Sequence, residues 1–426
     1  MKKPKSEERI SVERKETNLR NRSSLLSHSL FEFLRSSLFA ISLLVMAPQL
    51  NAQSLELSGY LAAESRIFPQ SPLLGEQYEV GNLSLSLQPE FYYEWSGGDQ
   101  SILFVPFARL DQHNGERTHF DIREFYWQRV WHSFELSLGL RKIFWGVTES
   151  QHLVDIINQS DLVENLDMED KLGQPMVNLT LIQNWGVLDF FLMPYFRERP
   201  FLTNEARLRI PAPIETDLTG YESNAEEKHL DWAVRWFHTL GIFDIGLSHF
   251  SGTSREPVII PTINIIGAPF YHTIDQTGLD LQATTGGWLL KLEAINRFGQ
   301  GDRFFATTAG FEYTFSNIRN SGIDVGLIME YHYDERGKEG LAPFDDDIFF
   351  GSRLAFNDVQ STDILAGVII DRDRRSSFLN LEASRRLGDR YKLEVEFRGF
   401  VNASSKDIFY GLRKDHYFQL ELARYF

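Results

Sequence analysis

The chain has 426 residues, of which 42% are hydrophobic, and its mean hydropathy is −0.27. A membrane-spanning helix needs roughly 20 consecutive apolar residues. Beyond the N-terminal region the best apolar run, 187–193, is short and contains Asp189, so the composition excludes a helical membrane protein.

Residues 1–52 have the three parts of a secretion signal. A leader rich in Lys, Arg and Ser precedes the ten-residue apolar segment 38–47, and a short polar stretch then ends at Ala52. This order is typical of a cleaved signal peptide, so residues 1–52 are predicted to be leader and signal peptide. They hold nine Lys/Arg and five Asp/Glu, which leaves 34 basic and 54 acidic side chains and a net charge of −20 in residues 53–426. This charge argues against nucleic acid as a partner.

Residues 53–426 consist of blocks of about ten residues with period-two alternation, separated by Gly, Asn, Asp and Ser. In the block 391–401, for example, Leu393 and Val395 alternate with Glu394 and Glu396. Strands of 9–11 residues with one apolar and one polar face are typical of membrane barrels. Eighteen strands are predicted, near 54–65, 81–94, 101–111, 118–130, 134–145, 176–184, 187–197, 229–239, 242–251, 272–284, 288–298, 304–316, 323–334, 348–359, 362–372, 376–387, 391–403 and 410–426.

The connections between these strands alternate in length. After even-numbered strands they are short, as at 131–133, 184–186, 285–287 and 388–390; after odd-numbered strands they include 146–175, 198–228, 252–271 and 335–347. The strands of a soluble β-sandwich also alternate between apolar and polar residues, but a sandwich gives no reason for connections that alternate between short and long. Bacterial outer-membrane barrels have such connections. The predicted fold is therefore all-β, a transmembrane antiparallel β-barrel of about 18 strands with short periplasmic turns and long extracellular loops. Its expected place is the lipid of the bacterial outer membrane.

The C-terminus resembles the insertion signal of outer-membrane barrels. Phe418, Leu420 and Leu422 alternate towards the terminal Phe426. Arg424 departs from the alternation, but near the membrane edge an Arg costs only about 0–1 kcal/mol. The last strand is therefore expected to bind the barrel-insertion machinery.

The segment 146–175 is the predicted constriction. A barrel of about eighteen strands is wider than its own side chains can fill, so a loop must narrow the lumen. In this segment Thr148 and Gln151 resemble a helix capping box, and Ile156 and Ile157 are expected to form a short buried face. Its carboxylates are Glu149, Asp155, Asp161, Glu164, Asp167, Glu169 and Asp170. Folded inward, they would face the bases of the wall and set the ion preference; the alternative is a solvated external loop.

The polar faces of the strands carry the bases that are predicted to line the lumen. These are Arg123, Arg129, Arg141, Arg235, Lys291, Arg297, Arg353, Lys392 and Arg398. Carboxylates such as Asp280, Glu293 and Glu330 share these faces, so the lumen is expected to be mixed in charge and to have no ladder of one sign. The loop 252–271 is unusually apolar and is expected to fold over the mouth or to meet a partner.

The segment 141–146 (RKIFWG), followed by Asp155, Asn158 and Asp161, resembles an uncharacterised porin-like family of proteobacterial outer-membrane proteins. In that family a basic strand end and Trp-Gly lead into a long loop with spaced Asp and Asn. In size and apparent strand number the chain is also similar to the alginate-export barrels, and this resemblance implies an Arg-rich lumen. The charges of this sequence are more balanced.

The sequence therefore predicts a porin-like channel for passive or selective diffusion of small hydrophilic solutes. The alternatives are an export conduit for an anionic polysaccharide such as alginate, which needs a cationic track, and a structural barrel closed by its loops. Neither Ser248 with His249 nor His272 with Asp275 stands in a catalytic motif, and His119 is isolated. No enzyme activity, cofactor or metal site is predicted, and the pattern indicates no oligomeric state.

Overall fold

A computed structural model describes residues 54–209, 212–261, 267–337 and 342–426. The predicted leader and signal peptide, 1–52, lies outside the described residues. Among the described residues, no helix is both long and apolar enough to span a membrane.

The described chain forms one closed antiparallel barrel of 18 strands. In chain order the strands of the molecule are β1 Ser54–Ile67, β2 Gly81–Trp95, β3 Gln100–Asp111, β4 His119–Val130, β5 Phe134–Arg141, β6 Gln174–Gln183, β7 Gly186–Met193, β8 Gly220–Tyr221, β9 Asp231–Leu240, β10 Phe243–Thr253, β11 Val258–Pro261, β12 Gly267–Tyr271, β13 Thr273–Thr285, β14 Trp288–Gly299, β15 Gly301–Phe315, β16 Asp324–Asp334, β17 Asp346–Ala355, β18 Asp363–Asp371, β19 Ser377–Leu387, β20 Tyr391–Val401 and β21 Tyr417–Tyr425. Short 3-10 helices lie at Ser96–Gly98, Thr216–Leu218, Glu226–Lys228, Ile318–Asn320 and Ile408–Leu412. All strands except β8, β11 and β12 belong to the barrel, and β1 closes it by pairing with β21.

The two faces of the strands meet opposite environments. In β14 the outward Leu290 is 45% exposed, whereas Glu293 on the inward face is fully buried. Exposed apolar side chains outside and buried charged side chains inside recur around the barrel, with Leu57 and Leu327 exposed outside and Asp280 buried inside. An apolar outer band around a polar interior is stable where the outer face meets hydrocarbon. The fold is therefore a transmembrane β-barrel, as the alternation predicts.

The lengths of the connections distinguish the two ends of the barrel. The connection from β5 to β6 covers 142–173 and that from β7 to β9 covers 194–230, whereas β4–β5 and β6–β7 are joined by 131–133 and 184–185. The alternation is not strict. On the side of the long loops Gln300 alone joins β14 to β15 and 372–376 joins β18 to β19, whereas on the other side 316–323 joins β15 to β16 and 356–362 joins β17 to β18. The predicted short periplasmic turns and long extracellular loops are confirmed.

A β-bulge interrupts the alternation of β4. In the pairing with β3, Val105 opposes Glu124 and Pro106 opposes Ile122, so Arg123 has no partner in the ladder. A bulge adds one residue to one strand. The side chains after it therefore point to the opposite face from the one that uninterrupted alternation would give them. Arg123 is buried inside the barrel.

The bulge corrects one prediction for the lumen. Beyond it Arg129 lies on the same face as Phe125, which is 48% exposed, and it pairs with Leu136 on the outward face of β5. Its guanidinium lies 4.6 Å from the ring centre of Trp131 in the short β4–β5 turn. The structure therefore places Arg129 at the outer edge of the barrel, not in the lumen as the uninterrupted alternation predicted.

The apolar loop 252–271 pairs with a neighbouring loop. Its strands β11 and β12 form a hairpin, and β12 runs parallel to β8 in the connection between β7 and β9. The rings of Phe196, Tyr221 and Tyr271 from these two connections lie 4.8–6.3 Å apart. Part of the apolar surface of this loop is therefore covered by the chain itself.

Candidate functional site

The long connection 142–173 folds into the barrel. Val154 and Ile157 are fully buried and, with Trp145 and Ile156, pack against inward-facing apolar side chains of β6, β7, β9, β10, β13, β14 and β15. A solvated external loop would bury no such core, so the geometry places this segment inside the barrel. The predicted buried face at Ile156 and Ile157 is present.

The capping-box interpretation of Thr148 and Gln151 is wrong. The described segment 142–173 contains turns and bends but no helix. A cap would accept a hydrogen bond from the backbone N–H three residues on. Thr148 Oγ1 instead lies 2.5 Å from the carbonyl oxygen of Gln151 and 2.7 Å from Glu293 Oε1 on the wall, and both of these atoms are acceptors. Tertiary contact with the wall overrides the local signal.

Glu293 on β14 anchors the first part of the loop. Its carboxylate accepts hydrogen bonds from the backbone N–H groups of Val147 at 2.7 Å, Thr148 at 3.0 Å and Val154 at 3.2 Å. The side chain has no exposed surface. A carboxylate that accepts several N–H bonds is well satisfied in a buried place, so this residue fixes the loop to the wall.

The tip of the loop reaches the far side of the barrel. Glu149 lies 2.7 Å from Arg353 on β17 and 3.5 Å from Lys291 on β14. Glu330 on β16 accepts the N–H groups of Glu149 at 2.7 Å and Ser150 at 2.9 Å. Since β5 and β17 are half the circumference apart in strand order, the loop spans the lumen from one wall to the opposite one.

The returning part of the loop makes ion pairs with β3 and β4. Asp161 lies 2.6 Å from Arg123, and Glu164 lies 2.8 Å from Arg109. All four side chains are at most 8% exposed. The sequence predicted that loop carboxylates would face bases of the wall. At these positions they do so in direct ion pairs, with no water-filled space between the charges.

Three further carboxylates of the loop lie closer to open water. Asp167 lies 3.3 Å from Arg398 on β20, whereas Glu169 and Asp170 are exposed, and no ion pair of theirs is found within the described ranges. Desolvation by the surrounding protein raises the pKa of Asp167 to about 6 and the pKa of Glu169 to about 7, and neighbouring carboxylates add to both shifts. Desolvation likewise raises the pKa of Asp170 to about 6, and repulsion by the charges of Glu164 and Asp161 adds to this shift.

The other predicted site residues also have partners. Asp155 pairs with Lys171 inside the loop at 3.0 Å. On the wall, Arg141 lies 2.5 Å from Asn178, Arg235 lies 2.7 Å from Asp280, Arg297 lies 2.9 Å from Glu256, and Lys392 lies 2.5 Å from Glu394. The inward-facing predicted bases are thus paired, in agreement with a lumen of mixed charge.

Water reaches the wall beside the loop. The inward-facing side chains of Glu382 and Glu394 are 43% and 40% exposed, and that of Arg353 is 38% exposed. They lie on β17, β19 and β20, opposite the apolar core that the loop forms with β6–β15. The loop therefore fills one side of the lumen and leaves hydrated, charged side chains on the other.

Arg207, which sequence reasoning missed, joins three loops of the long-loop end. The fully buried guanidinium lies 2.6 Å from Asp415 and donates to the carbonyl oxygens of Glu79 at 2.6 Å, Gln70 at 3.0 Å and Lys414 at 3.0 Å. The connections β1–β2, β7–β9 and β20–β21 thus meet at one side chain. An irregular loop sequence gives no periodic signal for such a contact.

The histidine and serine pairs considered as catalytic are not assembled. Ser248 is buried on the inward face of β10, while the adjacent His249 lies on the outward face beside Thr277. His272 lies near Glu222, with 3.6 Å between Nδ1 and Oε2. Neither pair has the nucleophile and base within hydrogen-bond reach that such chemistry needs.

No protein-family model matches the chain, and no curated protein matches it. Among solved structures, a BenF-like porin from Pseudomonas fluorescens is similar over 89% of this chain and 99% of its own, with 9% identity and a TM-score of 0.51. Wzi, an outer membrane protein involved in group 1 capsule assembly in Escherichia coli, is similar over 85% and 83%, with 11% identity and a TM-score of 0.48. A variant of the Rh. blastica porin is similar over 88% and 100%, with 12% identity and a TM-score of 0.43. The likeness to the BenF-like porin shows a shared fold, that of a porin-like outer-membrane β-barrel.

Proposed function

We propose that this barrel is an outer-membrane channel through which small hydrophilic solutes diffuse, and that the loop 142–173 forms its constriction. The loop crosses the lumen between opposite walls, fixed at Glu293 and Glu330, and this single observation carries the proposal. Exposed charges of β17, β19 and β20 border the remaining space. Passage then depends on size and charge and involves no chemistry.

The charges beside the loop favour cations over anions. Apart from Arg141, which contacts Asn178, the predicted inward-facing bases on the wall are held by carboxylates, as Arg398 is held by Glu382 and Asp167. The exposed carboxylates Glu169 and Asp170 have no such partner within the described ranges. Rings of acidic side chains select cations in other channels, so we infer a preference for cations or for neutral and basic solutes.

The same pairing argues against export of an anionic polymer. Such a conduit needs a continuous track of unpaired bases on the lumen side. In the part of the chain that the structure describes, Arg123, Arg235 and Arg297 are each in contact with a carboxylate and at most 9% exposed. Small solutes need no such track.

Planar-bilayer recordings test the proposal. We expect the refolded chain to give discrete single-channel steps with a permeability ratio in favour of K⁺ over Cl⁻. Deletion of residues 148–172 removes the crossing segment and is expected to raise the conductance several-fold, since the lumen of an 18-stranded barrel is then limited by its wall alone. A silent bilayer with correctly folded protein would contradict the channel, and an unchanged conductance after the deletion would contradict the constriction.

A further inference from the structure

A histidine of the wall and two carboxylates of the loop converge where the returning part of 142–173 meets β4. One ring nitrogen of His119 and one oxygen each of Asp161 and Glu164 lie within 4.8 Å of one another. Asp161 is 1% and Glu164 is 4% exposed. The side chain of His119 is 21% exposed, so water of the lumen reaches the cluster.

The atoms that face each other in this cluster have no hydrogen-bond partner, and the nearest approach of Arg123 to Glu164 Oε1 is 3.8 Å, from Nη2. His119 Nε2, Asp161 Oδ1 and Glu164 Oε1 are buried and make no hydrogen bond. A buried polar atom without a partner costs about 1–3 kcal/mol. Three acceptors at one point therefore favour a bound group that takes electron pairs, and a metal ion is such a group.

The tautomer of His119 agrees with this role. Its Nδ1 lies 3.2 Å from the carbonyl oxygen of Arg117. A carbonyl oxygen only accepts, so Nδ1 carries the proton, and in the neutral ring Nε2 presents its lone pair to the two carboxylates. Histidines that bind metal are oriented in this way, with the second ring nitrogen donating to a carbonyl or carboxylate.

Two arginines hold the outer oxygens of the carboxylates. Arg123 lies 2.6 Å from Asp161 Oδ2, and Arg109 lies 2.8 Å from Glu164 Oε2. These contacts orient the other oxygen of each carboxylate towards the cluster, and carboxylates that bind metal commonly have such partners. The distance from His119 Nε2 to Glu164 Oε1 is 3.5 Å, close to the roughly 3.3 Å that separates neighbouring ligands of a tetrahedral ion with bonds of about 2.0 Å.

We propose that His119, Asp161 and Glu164 bind a divalent transition-metal ion such as Zn²⁺, with water from the lumen as a further ligand. One imidazole and two carboxylates are a suitable ligand set for Zn²⁺. The ion joins the returning part of the loop to β4, at the opposite side from the anchors on Glu293 and Glu330. The proposal is independent of which solute the barrel passes.

Calorimetric titration of the refolded, EDTA-treated chain with Zn²⁺ tests the site. We expect one ion per chain, binding at least about tenfold weaker in His119→Ala, and unchanged binding in His249→Ala, whose histidine lies on the outward face. Absence of stoichiometric binding by the unchanged chain, or equal binding by His119→Ala, overturns the proposal.

A spectroscopic variant gives an independent readout. The chain has no cysteine, so in His119→Cys a cobalt–thiolate charge-transfer band after addition of Co²⁺ can arise only from that position. We expect this band in His119→Cys and its absence in His249→Cys. Since His119 is partly exposed, both variants are expected to fold. Folded His119→Cys without the band would overturn the assignment.

Discussion

Single side chains of the wall determine where the crossing loop lies. Glu293 and Glu330 are fully buried, yet their partners are backbone N–H and hydroxyl groups of the loop and not bases of neighbouring strands. In water these N–H groups would bind solvent; inside the barrel each needs a fixed acceptor. The loop is therefore held by charge-assisted hydrogen bonds at its backbone.

Substitution Glu293→Gln is expected to lower the free energy of unfolding by about 2–3 kcal/mol, because it removes the negative charge and turns one acceptor into a donor facing N–H groups. Urea titration in lipid vesicles, followed by tryptophan fluorescence, measures this loss. Glu394→Gln is the matched control, since Glu394 also points inward but is 40% exposed and its partner Lys392 is 34% exposed; its effect should stay within about 0.5 kcal/mol. Equal effects of the two variants would contradict the anchoring role.

Acidification is expected to reduce the preference for cations. The pKa values of Asp167 and Asp170 are raised to about 6 and that of Glu169 to about 7, so all three are charged at pH 8 and mostly neutral at pH 5. The K⁺/Cl⁻ permeability ratio should therefore fall as the pH drops through 7 to 6, and reversal potentials in a salt gradient measure it.

The double variant Glu169→Gln and Asp170→Asn should have a lower ratio at pH 8 and a smaller change with pH. Because the folded-state pKa values are raised, the charged forms destabilise the folded loop, and its stability should increase over the same fall in pH. A ratio that is constant from pH 8 to 5 would argue against a role of these carboxylates in selection.

The alternation of apolar and polar residues was sufficient to assign most charged residues to the inner or outer face of the barrel, but it did not indicate their ion-pair or hydrogen-bond partners. It placed Arg235 and Lys291 inside, where the structure has them, since β9 is regular and β14 is regular as far as Arg297. It failed at Arg129, because a bulge at Arg123 leaves no mark in the hydrophobic pattern. It missed the convergence of His119 with the loop, because the contact is between segments far apart in the chain.

At the scale of elements, the β4 bulge and the crossing loop meet at one place. The bulged residue Arg123 points inside and holds Asp161 of the loop. Bulges re-aim side chains next to functional sites, and here the extra residue brings Arg123 and Glu124 to the same face. The bulge thus supplies a base to the loop while the rest of β4 keeps its apolar face outside.

Single cysteines test the change of face in β4. The chain has no cysteine of its own, so each variant carries one reactive site. In vesicles, Gln128→Cys should react with a hydrophilic maleimide, because Gln128 faces inward and contacts Glu135 at 2.9 Å. Trp127→Cys should be shielded from the reagent, and a fluorophore attached there before reconstitution should be quenched by lipid-bound nitroxides. The reverse pattern would show an unbulged strand.

The fold of the loop was predictable only in part. Its apolar residues and its acidic composition predicted a buried, inward-folded segment, and both are observed. The local helix signal at Thr148 and Gln151 was wrong, because Glu293 takes the hydrogen bonds that a helix would have formed. A short sequence motif carries no information about hydrogen-bond acceptors on strands that are distant in the chain.

At the scale of the whole molecule, closure of the barrel depends on the pairing of its first and last strands. Tyr60 to Ile67 pair with the strand that ends at Tyr425, and on its outer face Phe418, Leu420 and Leu422 are 41–52% exposed. A closed barrel has no free strand edge in the hydrocarbon, where each unpaired backbone group costs several kcal/mol. Strand number and the parity of the connections were predictable because both depend on local turns.

Deletion of residues 417–426 should prevent closure, since it leaves the edges of β1 and β20 unpaired. We expect the truncated chain to remain sensitive to trypsin after refolding in vesicles, whereas the full chain keeps a protected core. Phe426→Ala is the milder counterpart: it should refold in vitro like the unchanged chain but assemble more slowly in cells, if the terminal residue is read by the insertion machinery. A protease-resistant truncation would contradict closure through β21.

The loop 142–173, which is held at opposite walls, also supports the barrel mechanically. With Glu149 and Ser150 held on β16 and β17 and the chain covalently joined to β5 and β6, the width of the cylinder along this line is fixed by short contacts. A hollow barrel flattens under lateral pressure from the lipid, but a barrel whose opposite walls are linked by a loop across the lumen resists flattening along the direction of that loop. The cross-section open to solutes should therefore be insensitive to membrane tension.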